Sequence, residues 1–270
     1  GYRAVYRPGE PKETTYPIVF PAMLATLRLF SSTPLMPKSV VAFTGILVTL
    51  LCYYFFRHYI TRRLLVFLLL VATSGYLAQY SVILMSEIPY LFFTLAALVL
   101  LDKSVEEPNN RVLFWITIVV SVLPMNTRSI GLSFTVAWIV GNLLAKRYRY
   151  AAAHAVLFLA AAIAFRSLTS WDNPYFLQLF QKNSYDPELG YVSAGEMLRR
   201  IGNNIAKLGF VVVRNTMAPF GRSFPPFVGT LLAKIMVALI FAGWIRGLVG
   251  RLRIVSLYVF FYLGVVCMWQ

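Results

Sequence analysis

Glu87 is the residue in this chain whose position most clearly suggests chemistry. It is the only charged side chain between Leu64 and Leu101, and the rest of that stretch is apolar enough for a membrane. A carboxylate at the centre of a bilayer costs roughly 2.5–3.5 kcal/mol on insertion scales, so it is better tolerated where two apolar helices turn at a water-facing surface. There it could ligate a metal ion or position a substrate hydroxyl or a cation. The alternative is an acidic hairpin turn without further function.

The sequence around Glu87 favours the start of a helix. Ser86 is placed to cap that helix, and Pro89 fits its first turn. Glu87 would then lie at a helix N-terminus, where the helix dipole favours a carboxylate. This structural role competes with the catalytic one.

Arg128 is a second isolated charge, in the segment from Pro124 to Leu132 between two apolar runs. It could pair with Glu87, or its guanidinium could bind a lipid phosphate. Both alternatives stay open at this point. Lys12 and Arg7 could also meet a phosphate as cations, or they could belong to a solvated loop.

Composition assigns the class of protein. Of 270 residues, 59% are hydrophobic and only 13% are charged, whereas about 25% is usual for a globular domain. Several charge-free runs approach the ~20 residues that cross a bilayer as a helix. We therefore predict an all-α fold, a polytopic transmembrane helical bundle that occupies residues 1–270 as a single domain. The net charge of +15 then reflects loop topology and anionic headgroups, not nucleic acid.

The apolar runs predict about eight spans, the third of them short and entered through a tilted or re-entrant turn at Glu87. They are 39–56, 64–83, 88–102, 112–126, 129–145, 150–165, 227–245 and 254–270. Basic residues follow the first, third, fifth and seventh spans, at Arg57, Arg62, Arg63, Lys103, Arg111, Lys146, Arg147, Arg149, Arg246, Arg251 and Arg253. By the positive-inside rule these loops face the cytoplasm, so Glu87 and Arg128 face outward in a multi-pass protein of the cell membrane.

Two longer segments share the outer side. Residues 1–38 form part of a first outer loop with an interfacial helix, since Pro17 and Pro21 argue against an ordinary span. Residues 166–226 form a long outer loop. There, Ser193 and Glu196 have capping-box spacing and predict a basic amphipathic helix from about Ala194.

Motifs of soluble enzymes are absent from the sequence. It contains no Ser-His-Asp set, no nucleotide-phosphate loop and no metal-binding helix motif. His58 and His154 are isolated, and Cys52 and Cys267 lie in apolar runs as buried thiols.

The order of the outer motifs resembles the GT-C glycosyltransferases. These membrane enzymes take a sugar from a polyprenyl- or dolichyl-phosphate carrier on the outer face, and they include the protein O-mannosyltransferases and the lipid A aminoarabinose transferases. The matching motifs are Tyr16-Pro17 with Phe20-Pro21, the Ser86-Glu87-x-Pro-Tyr turn, the Asn126–Leu132 segment, and Tyr185-Asp186-Pro187 with Gly190. Each motif is weak alone, and their order and sidedness carry the resemblance.

The resemblance implies an inverting transfer in which an acceptor hydroxyl attacks the anomeric carbon and lipid phosphate leaves. Glu87 matches the family's second acidic position and is a candidate metal ligand, so a divalent metal is a candidate cofactor. Arg128 is the best candidate for the lipid phosphate, with Lys12 behind it, and Tyr16 and Tyr90 are further substrate-binding candidates. The expected partners are the lipid-linked sugar donor, membrane lipids and an acceptor that is a protein, a lipid or a glycan.

The family's main catalytic acid lies in the first outer loop, a place that here falls before Gly1. We therefore expect a fragment that lacks the first span and the C-terminal part, and that is inactive alone. Two other classes compete with the glycosyltransferase: a multispanning transporter or flippase, and a non-catalytic assembly subunit.

Overall fold

The protein is all-helical in the computed structural model, which describes residues 17–57, 59, 71, 75–168, 179–182, 189–216, 226–250 and 252–268. The helices are α1 Val19–Phe30, α2 Leu35–Phe56, α3 Gly75–Val82, α4 Glu87–Glu106, α5 Arg111–Thr127, α6 Leu132–Leu144, α7 Tyr148–Leu168, α8 Ala194–Thr216, α9 Pro226–Val249 and α10 Arg253–Met268. A 3-10 turn, Ser129–Gly131, separates α5 from α6. Within the described ranges no β-strand occurs, and Gln181 and Tyr191 form an isolated antiparallel bridge. The all-α prediction is confirmed.

Several helix starts follow from local chemistry. The Asn110 side chain accepts a hydrogen bond from the Leu113 backbone N–H at 3.0 Å and so caps α5. Pro21 lies in the first turn of α1, where a missing N–H leaves no hydrogen bond unmade. The α1 helix therefore forms despite Pro21.

The expectation of about eight full crossings is not met. Among the described residues, α2 and α4 are long and apolar enough to cross a membrane, and these two helices support a membrane protein by length and composition. The other apolar stretches within the described residues are 10–17 residues long. The turn at Arg128 splits one apolar region into α5, of 17 residues, and α6, of 13. Most of the predicted span 64–83 lies outside the described residues.

The helix at the third predicted span is longer than the sequence predicts. Helix α4 runs without a break for 20 residues from Glu87 to Glu106, because it continues through Asp102 and Lys103 where the apolar run has ended. Among the described residues, it is one of two helices long and apolar enough to cross a bilayer.

The chain divides into two compact units, residues 1–135 with 146–172 and residues 136–145 with 173–270. In the first unit, α4 packs between α2 and α5, and α7 packs on α5. Val41, Val48 and Cys52 of α2 meet Ile88 and Leu95 of α4 in its core. In the second unit, α9 and α10 form a hairpin, and α8 packs on both of its helices.

In the first unit, large apolar side chains are exposed and several polar side chains are buried. Apolar residues spaced by three or four form exposed stripes along α2 (Phe43, Ile46, Leu50, Tyr53), α5 (Val112, Trp115, Ile116, Val119) and α7 (Val156, Leu159, Ile163). The buried positions include Thr94, Thr117, Ser121, Thr127 and His154. Exposed apolar stripes of this kind mark a surface that contacts a membrane or another protein.

Candidate functional site: an ion pair at the open end of a helical hairpin

Glu87 is the first residue of α4, as the sequence predicts. Pro89 lies in the first turn, and the amide of Tyr90 donates to the carbonyl of Ser86 at 2.9 Å. The predicted cap by Ser86 is wrong: its side chain makes no capping hydrogen bond. The reason is its backbone, which is already helical, whereas a capping side chain usually needs an extended N-cap residue.

Arg128 follows the last residue of α5 in an extended conformation. Its amide still closes the helix by donating to the Pro124 carbonyl at 3.0 Å, and its carbonyl accepts from Gly131 at 2.8 Å. A Cβ atom at residue 131 would lie 2.5 Å from backbone atoms of Pro124 and Met125, so only glycine fits here without a shift. The close approach of Gly131 thus folds the chain back and fixes where Arg128 points.

Glu87 and Arg128 form an ion pair. Because α4 and α5 are antiparallel, the start of α4 lies beside the end of α5, and Arg128 Nη1 is 2.7 Å from Glu87 Oε1. The side chains are 34% exposed for Arg128 and 25% exposed for Glu87. Of the two alternatives for Arg128, pairing with Glu87 is the one that the structure shows.

Both side chains keep hydrogen-bond donors or acceptors that their mutual contact does not use. A guanidinium carries five N–H donors and a carboxylate about four lone-pair sites, and the contact between Nη1 and Oε1 uses one of each. The remaining acceptor sites suit a hydroxyl, and the remaining donors suit a phosphate. The arrangement can therefore hold a hydroxyl and a phosphate side by side at one partly exposed place.

The other predicted substrate-binding residues are less informative. Tyr90 is buried, with 5% of its surface exposed, one turn after Glu87 in the same helix. It can shape the floor under the ion pair, and its ring is not open to a ligand there. Lys12 and Tyr16 lie outside the described residues.

Among the described residues, Glu87 offers a divalent cation only one carboxylate. No group of three or more His, Cys, Asp or Glu side chains comes together in the described part of the chain. Glu87 brings a single carboxylate, and a guanidinium lies 2.7 Å from it and would repel a second cation.

Sequence reasoning missed a buried pair between α5 and α7. Ser121 Oγ and His154 Nδ1 are hydrogen-bonded at 2.7 Å, and both residues are fully buried. Ser121 Oγ can donate its proton to the carbonyl of Ile118 at 2.8 Å or to His154, according to the tautomer of the histidine. The pair ties two helices together. Residues 33 positions apart give no spacing signal, and the sequence therefore left His154 isolated.

The second unit fixes the amphipathic helix in the way the sequence predicts. Ser193 donates from its backbone N–H and from its hydroxyl to Glu196, at 2.7 and 2.8 Å, and the Glu196 amide donates back to the Ser193 hydroxyl at 3.3 Å. This capping box begins α8 at Ala194. The predicted turns around Trp171 and Asp186 lie outside the described residues.

Comparison with known proteins adds no relative. The chain matches no protein-family model, and searches of the curated proteins and of the solved structures find no similar protein. The resemblance to the GT-C enzymes therefore rests on the motifs, and the argument for function rests on the geometry of Glu87 and Arg128.

Proposed function

We propose that the protein is a membrane glycosyltransferase that moves a sugar from a polyprenyl-phosphate carrier to an acceptor hydroxyl on the extracytoplasmic face. The observation that carries this proposal is the partly exposed ion pair of Glu87 and Arg128, placed where an apolar helical hairpin opens. A sugar–phosphate lipid presents a phosphate at the bilayer surface beside its sugar. A carboxylate and a guanidinium held side by side are matched to that pair of groups.

In this proposal each side chain has one task. Glu87 accepts a hydrogen bond from the acceptor hydroxyl and orients its oxygen towards the anomeric carbon. As the new carbon–oxygen bond forms, the bond from the anomeric carbon to the lipid phosphate breaks, and its electron pair leaves with the phosphate. Arg128 stabilises the negative charge that grows on this phosphate. The hydroxyl proton passes to a carboxylate base, which the family resemblance places in the first outer loop.

The membrane part of the proposal is a multi-pass bundle of the cell membrane. Its support is the exposed apolar stripes on α2, α5 and α7, together with polar side chains buried between helices. Basic residues gather at the ends opposite the ion pair, as Lys103 in the last turn of α4 and Arg111 at the start of α5. Under the positive-inside rule those ends are cytoplasmic and the ion pair is extracytoplasmic.

The first experiment compares Glu87→Gln with Glu106→Gln in the intact protein in lipid vesicles. Both changes remove one carboxylate from α4, at opposite ends of the helix. We expect Glu87→Gln to lower the rate of sugar transfer from a polyprenyl-phosphate donor by roughly 10²-fold, the usual cost when a reacting group loses its positioning. Glu106→Gln should leave the rate unchanged. Equal turnover in the two variants would remove Glu87 from the mechanism.

A charge-swap variant distinguishes a catalytic role of the ion pair from a purely structural one. The double variant Glu87→Arg with Arg128→Glu can remake the ion pair, so a purely structural pair would regain both stability and turnover. We expect folded protein that stays inactive, because the acid and the cation then face the wrong substrate groups. Counterflow of a labelled solute that needs no lipid-linked sugar would favour a transporter. Co-purification with a partner, with no effect of either residue, would favour an assembly subunit.

A further inference from the structure

Helix α8 has three faces with different surroundings. One flank is partly buried against the rest of its unit, and it consists of Met197, Arg200, Ile201, Asn204 and Leu208. A second is exposed and polar, with Arg199, Asn203 and Lys207. The third face carries Leu198 and Ile205, which lie two turns apart. Both are exposed, Leu198 to 71% and Ile205 to 57%. The packed flank thus leaves an apolar edge and a cationic edge uncovered.

Two side chains of α8 clamp it to the end of α10. The Asn204 amide donates to the Cys267 carbonyl at 2.9 Å, and Arg200 Nη1 donates to the Met268 carbonyl at 3.4 Å. Carbonyls in the last turn of a helix lack partners within that helix, so these bonds complete the C-terminus of α10. Arg200 also donates to the carbonyls of Gln181 and Lys182, at 3.1 and 3.3 Å. Arg200 therefore serves the fold, and Arg199 and Lys207 remain at the surface.

The hydrogen bonds from Arg200 and Asn204 place α8 at one end of the hairpin of α9 and α10. The hairpin of α9 and α10 turns between Val249 and Arg253, with Arg246 and Arg253 at this basic end. The other end of α10 is 16 residues away, about 24 Å at 1.5 Å per residue, and that end is where Arg200 and Asn204 bind. An apolar hairpin in a bilayer would carry α8 at the membrane surface opposite its basic turn.

We propose that α8 is an interfacial helix that docks on the headgroup layer of the bilayer and binds anionic phospholipid. Leu198 and Ile205 enter the boundary of the acyl chains, and Arg199 and Lys207 bind headgroup phosphates. The occupant follows from charge and shape together: an apolar edge beside a cationic edge matches an anionic lipid surface. This inference stands apart from the proposed sugar transfer, and its test needs no donor substrate.

The depth at which the apolar edge and the polar face of α8 lie in the bilayer tests the proposed docking. A nitroxide label is placed at Leu198→Cys, at Ile205→Cys and, as the matched control on the polar face, at Asn203→Cys, with Cys52 and Cys267 replaced by alanine. The intact protein is studied in phosphatidylcholine–phosphatidylglycerol nanodiscs. We expect collisions with oxygen to dominate at 198 and 205, and collisions with an aqueous nickel chelate to dominate at 203.

Other results would overturn the docking. Equal exposure of all three labels to the nickel chelate would place α8 in water. Labels at 198 and 205 that are shielded from both oxygen and nickel would mean that protein covers this edge. Dipolar broadening between those labels would identify the cover as a second copy of the chain.

The cationic edge has its own test. A fluorophore at Ile205→Cys is quenched by brominated phosphatidylglycerol or brominated phosphatidylcholine, and the ratio reports local enrichment of the anionic lipid. We expect Arg199→Gln and Lys207→Gln each to lower the enrichment by up to about fivefold at low salt. Arg246→Gln, at the opposite end of the hairpin, is the control and should leave the ratio unchanged. A ratio insensitive to Arg199 and Lys207 would remove the anionic lipid from the proposal.

Discussion

Among single residues, the ion pair of Glu87 and Arg128 explains how this apolar region carries two charges. The two opposite charges lie 2.7 Å apart, and both side chains remain partly exposed to solvent. A half-exposed pair usually contributes only about 0–1 kcal/mol to stability. Changing either residue should therefore leave the protein folded, and this makes activity measurements on these variants interpretable.

Gly131 offers a prediction about what positions Arg128. Gly131→Ala places a Cβ against the backbone of Pro124 and Met125, so the turn must open. We expect the free energy of unfolding to fall by about 1–3 kcal/mol, the usual cost of overpacking, and sugar transfer to fall as Arg128 leaves Glu87. Thermal unfolding of the purified protein measures the first effect.

A second glycine supplies the control for Gly131. A Cβ at Gly202, in the middle of α8, meets nothing within 4 Å. Gly202→Ala should therefore raise the unfolding free energy by about 0.5–1 kcal/mol, since alanine favours the helix. If both alanine variants were equally stable, the turn at Arg128 would not depend on close backbone approach.

The sequence could locate these residues without settling their contacts. Isolation of Glu87 and Arg128 in apolar runs is visible from the chain alone, because a charge there is costly. Their pairing stayed one of two alternatives, since it depends on which helix ends meet. The hydrogen bond between Ser121 and His154 joins helices distant in sequence, and no local sequence pattern predicts it.

At the level of whole elements, the capping box of α8 shows where local rules are sufficient. Ser193 and Glu196 satisfy each other within one turn, so spacing alone predicts this start correctly. Ser86 fails as a cap because its backbone is helical, which the sequence does not report. The length of α4 was also underestimated, because a helix can continue past its apolar run into charged residues.

The capping box leads to a prediction on pH. Hydrogen bonds from the backbone and the hydroxyl of Ser193, with Lys182 nearby, hold the pKa of Glu196 below its usual value of 4.5. The folded pKa is the lower one, so the stabilisation is fully present above about pH 4.5 and is lost as the pH falls through the folded pKa. Protection of the first turn of α8 against hydrogen exchange should decline over that range. Glu196→Gln removes the titrating carboxyl and should flatten this pH dependence. A pH dependence unchanged in Glu196→Gln would assign the effect to another group.

For the whole molecule, the placement of apolar side chains adds to what helix length indicates about the class of protein. Among the described residues, two helices meet the length and hydropathy of a crossing, against the eight spans that composition suggested. Length alone is a limited criterion, because a turn such as the one at Arg128 divides an apolar region into shorter helices. The exposed stripes on α2, α5 and α7 are a second observation, since apolar surface of this kind marks contact with a membrane or with another protein.

A lysine scan along α2 tests that surrounding phase. Ile46 lies mid-helix and is exposed, whereas Leu35 is exposed at the first position of the helix. In a bilayer, Ile46→Lys places a charge near the centre at a cost of about 2.5–3.5 kcal/mol, while Leu35→Lys can reach the interface with its long side chain. In water neither lysine would cost much, because both positions are exposed.

We therefore expect the two lysine variants to differ. In a microsomal insertion assay, Ile46→Lys should lower the inserted fraction of the protein, and Leu35→Lys should match the unchanged chain. The same order should appear in the yield of folded protein after purification. Equal insertion and yield for both variants would mean that the α2 stripe does not face acyl chains. The ion pair at Glu87 would then lie on a protein surface in water, and the glycosyltransferase proposal would lose the membrane on which its lipid donor depends.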